Sequence, residues 1–95
     1  MDIRFDLPRL ATYCRQEDVE MLGVFGSVAR EDATPDSDVD LLIRFRRARS
    51  LLHIVRIERE LGVIIGRRID LLTEAAISPY LRDRVLRELR VLYAA

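Results

Sequence analysis

Asp38 and Asp40 stand two residues apart at the head of a run that reads as a strand, Asp-Val-Asp-Leu-Leu-Ile-Arg-Phe. Side chains at i and i+2 of a strand project from one face. With a rise of about 3.3 Å per residue, their Cα atoms stand roughly 7 Å apart. Two carboxylates at that spacing can converge on a hard cation. Magnesium suits them, because it takes oxygen ligands and completes its shell with phosphate and water. Asp70, in Arg-Ile-Asp-Leu-Leu-Thr, supplies a third carboxylate if its strand lies beside the second. Three acids so close repel one another without a counter-ion. An apolar strand gains no stability from them, so the pattern points to function.

Gly26-Ser27 follows a short apolar run, Met21 to Phe25. Glycine lets backbone approach a ligand closely, and a helix N-terminus offers free N–H groups and a favourable dipole to phosphate. Ser27 adds a hydroxyl, and Arg30 lies one turn further on. Each signal alone is weak: Asp-x-Asp is common, Asp38 after Ser37 also suits a turn, and Gly-Ser after a strand is often only a turn. Their order is more specific: strand, Gly-Ser, short helix, ten intervening residues (28–37), Asp-x-Asp opening a second strand, then Asp70 in a third.

The elements that must position these residues follow from local pattern. Leu7 to Gln16 reads as a helix with Pro8 in its first turn; Leu10 and Cys14 share a face. The residues after Gly26, Val28 to Glu31, read as a helical turn with Ser27 as N-cap, and Ala33 to Ser37 as a loop. A helix from Ser50 to Leu61, capped by Ser50, places Leu51, Ile54, Val55 and Glu58 on one side, with Leu61 extending the stripe. Gly62 and Gly66 flank a loop or helix end. Pro79 opens a closing helix in which Leu81, Val85, Leu89 and Leu92 recur at helical spacing, leaving Leu86 and Tyr93 partly off-face. Strands alternating with helices predict one α/β (α+β) domain over 1–95, with a small mixed sheet of three to four strands and helices mainly on one face.

Composition excludes several chemistries. All 16 basic residues are arginine, so no mechanism can use a catalytic or phosphate-binding lysine. The single cysteine, Cys14, forms no intramolecular disulfide and no cysteine cluster; a reducing cytoplasm is expected. No apolar run approaches the roughly 20 residues that span a bilayer, and the opening Met-Asp-Ile-Arg-Phe-Asp lacks a secretory pattern. The formal net charge is zero, so no stable nucleic-acid binding is expected from charge alone. Arg44, Arg46, Arg47 and Arg49 form a basic run with either a solvated role or an attraction for an acidic partner or nucleotide. Arg82, Arg84, Arg87 and Arg90 read as a solvated face with Asp83 and Glu88. His53 falls in an apolar helical stretch at a boundary, and the glycines make no Rossmann or P-loop fingerprint.

The run Phe25-Gly26-Ser27-Val28-Ala29-Arg30, continuing to Ser37-Asp38-Val39-Asp40-Leu41-Leu42-Ile43, resembles the signature of the DNA polymerase beta-like nucleotidyltransferases. It is most similar to their short prokaryotic branch, the minimal nucleotidyltransferases (MNT). The resemblance continues through Arg68 to Thr73 and Ile77 to Leu81, nearly the whole chain. Glu31 departs from it, standing where many members carry glycine. The resemblance implies the polymerase beta-like fold and two magnesium ions (manganese being an alternative) held by Asp38, Asp40 and Asp70, with Asp70 helping to deprotonate the attacking oxygen. It also implies that Gly26, Ser27 and Arg30 bind the phosphates of ATP. It further implies a HEPN ribonuclease toxin as partner, silenced by AMP transfer to a tyrosine hydroxyl. Two alternatives stay open: an antitoxin that only masks its partner, and an enzyme acting on a small molecule such as an aminoglycoside. Self-association or assembly with another chain is also left open.

Overall fold

A computed structural model describes residues 4–95. Met1 to Ile3, half of the segment in which no secretory signal is read, lie outside the described residues. The chain runs α1 (Leu7–Gln16), β1 (Val19–Phe25), α2 (Gly26–Ala29), β2 (Val39–Phe45), α3 (Leu51–Ile65), β3 (Ile69–Thr73), a 3-10 turn at Glu74–Ala76, α4 (Pro79–Glu88) and β4 (Arg90–Ala94). The sheet order is β3-β2-β1-β4. β1 pairs antiparallel with both β2 and β4, whereas β2 and β3 run parallel.

Local chemistry explains the boundaries. The Asp6 side chain accepts from the Arg9 N–H at 3.2 Å and Pro8 sits in the first turn of α1, where a missing N–H costs nothing. Ser50 caps α3 by accepting from His53 N. Gly66 ends α3 at φ 74°, a left-handed conformation natural to glycine. Gly62 lies inside α3.

Strand alternation divides the core into two. Leu22, Val24, Val39, Leu41 and Ile43 face Leu10 and Cys14 of α1 and Ile57 and Leu61 of α3. Met21, Phe25 and Leu42 face the other way, against Ile77 and Val85. The larger core thus lies under α1, α2 and α3, and α4 covers a smaller one on the opposite face. Cys14 is fully buried, and burial pushes its thiol up to about 11. It is a core residue.

Two expectations are corrected at this level. The closing helix stops at Glu88; Leu89 is already extended, and Leu92 and Tyr93 belong to β4. The leucine spacing fits a helix, but the open edge of β1 takes this segment as its partner, with Tyr93 opposite Leu22. Ladder hydrogen bonds there outweigh helix propensity. In α3 the buried stripe is Ile57 and Leu61, while Leu51 and Val55 are 75% and 52% exposed. Leu51 and Val55 lie toward the outer face of α3, an exposed stripe that continues through Arg59 to Val63, while Ile54 in the same turn packs on the core. Glu58 instead reaches the sheet edge, accepting from Leu71 N at 2.9 Å.

Candidate active site

β1 carries the chain to Phe25, and the turn into α2 is made at Gly26 with φ 74°. A Cβ built there would overlap an Asp40 carboxylate oxygen and lie 3.1 Å from its Cγ. Glycine is therefore required twice, by backbone conformation and by the side chain pressed against it. The third correction lies here: α2 begins at Gly26, its N-cap is Phe25, and no side chain caps it. Ser27 sits inside the first turn, half-buried, and its carbonyl accepts from Asp32 N at 3.0 Å. The left-handed turn at Gly26 starts the helix one residue before Ser27.

β2 and β3 run in parallel register with Asp40 opposite Asp70. Both project from the face that carries Leu42 and Leu72, the side covered by α4. Asp38, expected on the strand beside Asp40, instead precedes β2, and its carboxylate accepts from Arg68 Nε at 2.9 Å. The structure thus brings Asp40 and Asp70 together beside Gly26, with Asp38 near them but turned to Arg68. Among the described residues, no trio of acidic, histidine or cysteine side chains is gathered closely enough to hold an ion as it stands.

Electrostatics mark Asp40. Its carboxyl is raised above the ordinary value, first by burial, then by the charges of Asp70 and Asp38, with Arg30 pulling the other way. Neighbouring acids that make one carboxylate costly are what a cation would relieve. The donor set is hard oxygen throughout, which fits magnesium. Asp38 can join by leaving Arg68, since both partners are largely solvated (79% and 47% exposed) and such pairs contribute little.

Arg30 and Glu88 complete this corner. Arg30 Nη1 donates to both Glu88 oxygens at 3.1 Å, and its Nε to Asp32 at 3.2 Å. These bonds raise the guanidinium further above its usual range. Burial acts to raise the Glu88 carboxyl, but hydrogen bonds from Arg84 and Arg30 win and hold it below the ordinary value. Sequence reading missed Glu88, 58 residues from Arg30; it looked like one more exposed helix acid, and no local signal distinguishes it. A cavity of about 150 Å³ opens beside it, lined by Phe25, Gly26, Arg30, Leu81, Arg84 and Val85. Glu31 has φ 64°, a left-handed conformation that favours glycine. Its carboxylate lies 3.5 Å from Arg90.

Residues 7–92 match the nucleotidyltransferase domain family. A candidate protein adenylyltransferase of Methanocaldococcus jannaschii is 41% identical over 70 residues, 74% of this chain and 75% of that protein. The protein adenylyltransferase MntA of Thermococcus cleftensis is 40% identical over 70 residues, 74% of this chain and 71% of its own length. A solved candidate minimal nucleotidyltransferase superposes with a TM-score of 0.79 and 38% identity, over 95% of both chains. A tri-AMPylated Shewanella oneidensis HEPN toxin in complex with MNT antitoxin gives a TM-score of 0.69 over 94% of this chain and 70% of that one. At 14% identity this last likeness concerns the fold.

Proposed function

This chain belongs to the nucleotidyltransferase domain family, as a minimal nucleotidyltransferase, and from that premise we propose that it transfers AMP from ATP to a tyrosine hydroxyl of a HEPN ribonuclease toxin and so neutralises it. The observation that carries the reading is the pairing of Asp40 with Asp70 across β2 and β3, with Gly26 closed against Asp40. Relatives named as protein adenylyltransferases support the class of reaction. The Shewanella complex, whose toxin carries AMP groups, supports the class of acceptor.

Each residue then has a task. Gly26, with no side chain, admits the β- and γ-phosphates close to backbone N–H groups. Ser27 donates its hydroxyl to them. Arg30 adds its guanidinium, exchanging the Glu88 carboxylate for phosphate oxygens. Asp38, Asp40 and Asp70 would hold magnesium. When bound, two such ions would neutralise the triphosphate and stabilise the attacking and leaving oxygens of an in-line displacement. Asp70 takes the proton of the acceptor hydroxyl. The hydroxyl oxygen bonds to the α-phosphorus as the bond from that phosphorus to the β-bridging oxygen breaks, and pyrophosphate departs with the electron pair.

A second reading draws on Asp38 being turned to Arg68: the chain masks its partner without chemistry. Intact mass separates the two. The purified protein, its genome-neighbour HEPN protein, ATP and magnesium are mixed and both chains weighed. Whole AMP increments on the partner, absent with Asp38→Asn, are expected. A stable complex with neither mass changed, or full neutralisation by Asp38→Asn, would favour masking.

A further inference from the structure

At the other end of β2 from the carboxylates lies a hollow of about 510 Å³ whose lining includes Arg44, Phe45, Arg46, Arg47, Arg49 and Ile54. The acids beside these arginines are Asp18, Glu74 and Glu20, the last acting on Arg44 from β1. Arg44 pairs with Glu74, and Arg46 and Arg47 share Asp18 at 3.2 and 3.6 Å. Four arginines thus face three carboxylates. Arg49 donates one N–H to the Glu17 carbonyl at 3.1 Å and stacks over Phe45, but its Nε is buried with no partner. The ion pairs are solvated, Arg47 being 81% exposed, so incoming carboxylates replace them at little cost.

The rim adds a second observation. Leu51, Leu52 and Val55, on the outer face of the first turns of α3, are 75%, 82% and 52% exposed. Helical spacing makes Leu51 a neighbour of Ile54 and of Val55, and Leu52 a neighbour of Val55. The aliphatic patch is therefore continuous with the hollow through Ile54.

We propose that the hollow and this patch form one docking surface for an acidic, amphipathic segment of a partner protein. Carboxylates of the segment meet the arginines, and its aliphatic side chains cover Leu51, Leu52 and Val55. Single-stranded RNA fits less well: it would stack bases on an aromatic ring, and Phe45 is already covered by Arg49 and His53. A second copy of this chain would bring the same arginines face to face in a twofold contact. The surface begins about 10 Å along β2 from Asp40, at Ile43, three residues on at roughly 3.3 Å each. It would anchor a large acceptor without covering the carboxylates. The inference thus rests on the acceptor being a protein.

The test is fluorescence anisotropy with three probes: an 18-residue helical peptide of glutamate and leucine, its lysine and leucine counterpart, and an 18-nucleotide mixed-sequence RNA. The glutamate peptide is expected to bind, to weaken with salt, and to lose about tenfold in affinity with Arg46→Gln plus Arg47→Gln. Leu52→Ser should weaken it severalfold, and Asp40→Asn should leave it unchanged. Circular dichroism checks that each variant is folded. Tighter RNA binding that ignores Leu52→Ser, binding of neither acidic probe, or self-association that Leu52→Ser abolishes would each overturn the docking surface. Failed AMP transfer with the peptide still bound would sink the catalytic reading alone.

Discussion

Two polar regions of this small domain are built on opposite terms. Between α1 and α3, Tyr13 donates to Glu60 at 2.6 Å, and Arg56 bridges Glu60 at 2.8 Å and Glu17 at 2.5 Å. Every charge there has an opposite partner. Burial first, then the Glu60 hydrogen bond, push the Tyr13 phenol above its usual range, so it stays protonated and keeps donating. At the carboxylate corner, Asp40 is instead raised first by burial and then by the like charges of Asp70, Asp38 and Glu88, with only Arg30 pulling the other way. The first network holds helices together. The second stores unfavourable interaction where a ligand of opposite charge can release it. Perturbation of both kinds appears in one chain, and only the sign of the neighbours tells a structural cluster from a reactive one.

The sharpest way to break the contrast is Asp40→Asn. Transfer activity should fall at least ~1000-fold, about 4 kcal/mol of transition-state stabilisation, measured by pyrophosphate release. The metal-free protein should melt slightly higher, by less than about 1 kcal/mol because the site is partly solvated. The pH dependence follows from the direction of the shift. A carboxyl raised on folding favours the folded state below its unfolded value and loses that contribution as pH rises through its folded value. Metal-free wild type should therefore lose stability over that acidic range relative to Asp40→Asn. Added magnesium should reverse the loss, as thermal melts across pH would record.

Gly26→Ala comes next. A left-handed position and the overlap with Asp40 should together cost about 1–3 kcal/mol, several degrees in melting temperature, with activity reduced at least about tenfold. Tyr13→Phe sharpens the other side of the contrast. It should cost about 0.5–1 kcal/mol, with kcat and KM unchanged; a drop in kcat would show that the paired network reaches the chemistry. Glu31→Gly should match Tyr13→Phe in size with the opposite sign. Relief of its left-handed backbone should raise stability by about 0.5–1 kcal/mol, visible as a small rise in denaturant midpoint.

What could be read from the residues was whatever is local. Pro8, Ser50 and Pro79 announce their helices because capping and first-turn chemistry depend on near neighbours. Asp38, Asp40 and Asp70 stand out because acids at the ends of apolar strands conflict with their surroundings. The pairing of Asp40 with Asp70 needed the parallel crossover through α3, which spacing suggests but does not determine. β4 escaped because its leucines also fit a helical period, and the choice belongs to the open edge of β1. Glu88 escaped for a similar reason: its bond to Arg30 depends on where α4 lands.

The position of β4 also constrains how this protein is made. β4 lies beside β1, the first strand of the described residues, and β1 is apolar along almost all its length. During synthesis β1 can pair with β2 as soon as both have emerged, but its other edge waits until residues 90–94 leave the ribosome. Through that interval an apolar strand edge is open to any neighbouring chain. A nascent chain arrested before Arg90 should therefore aggregate more readily than the finished one, although every residue of the proposed active site has already been added.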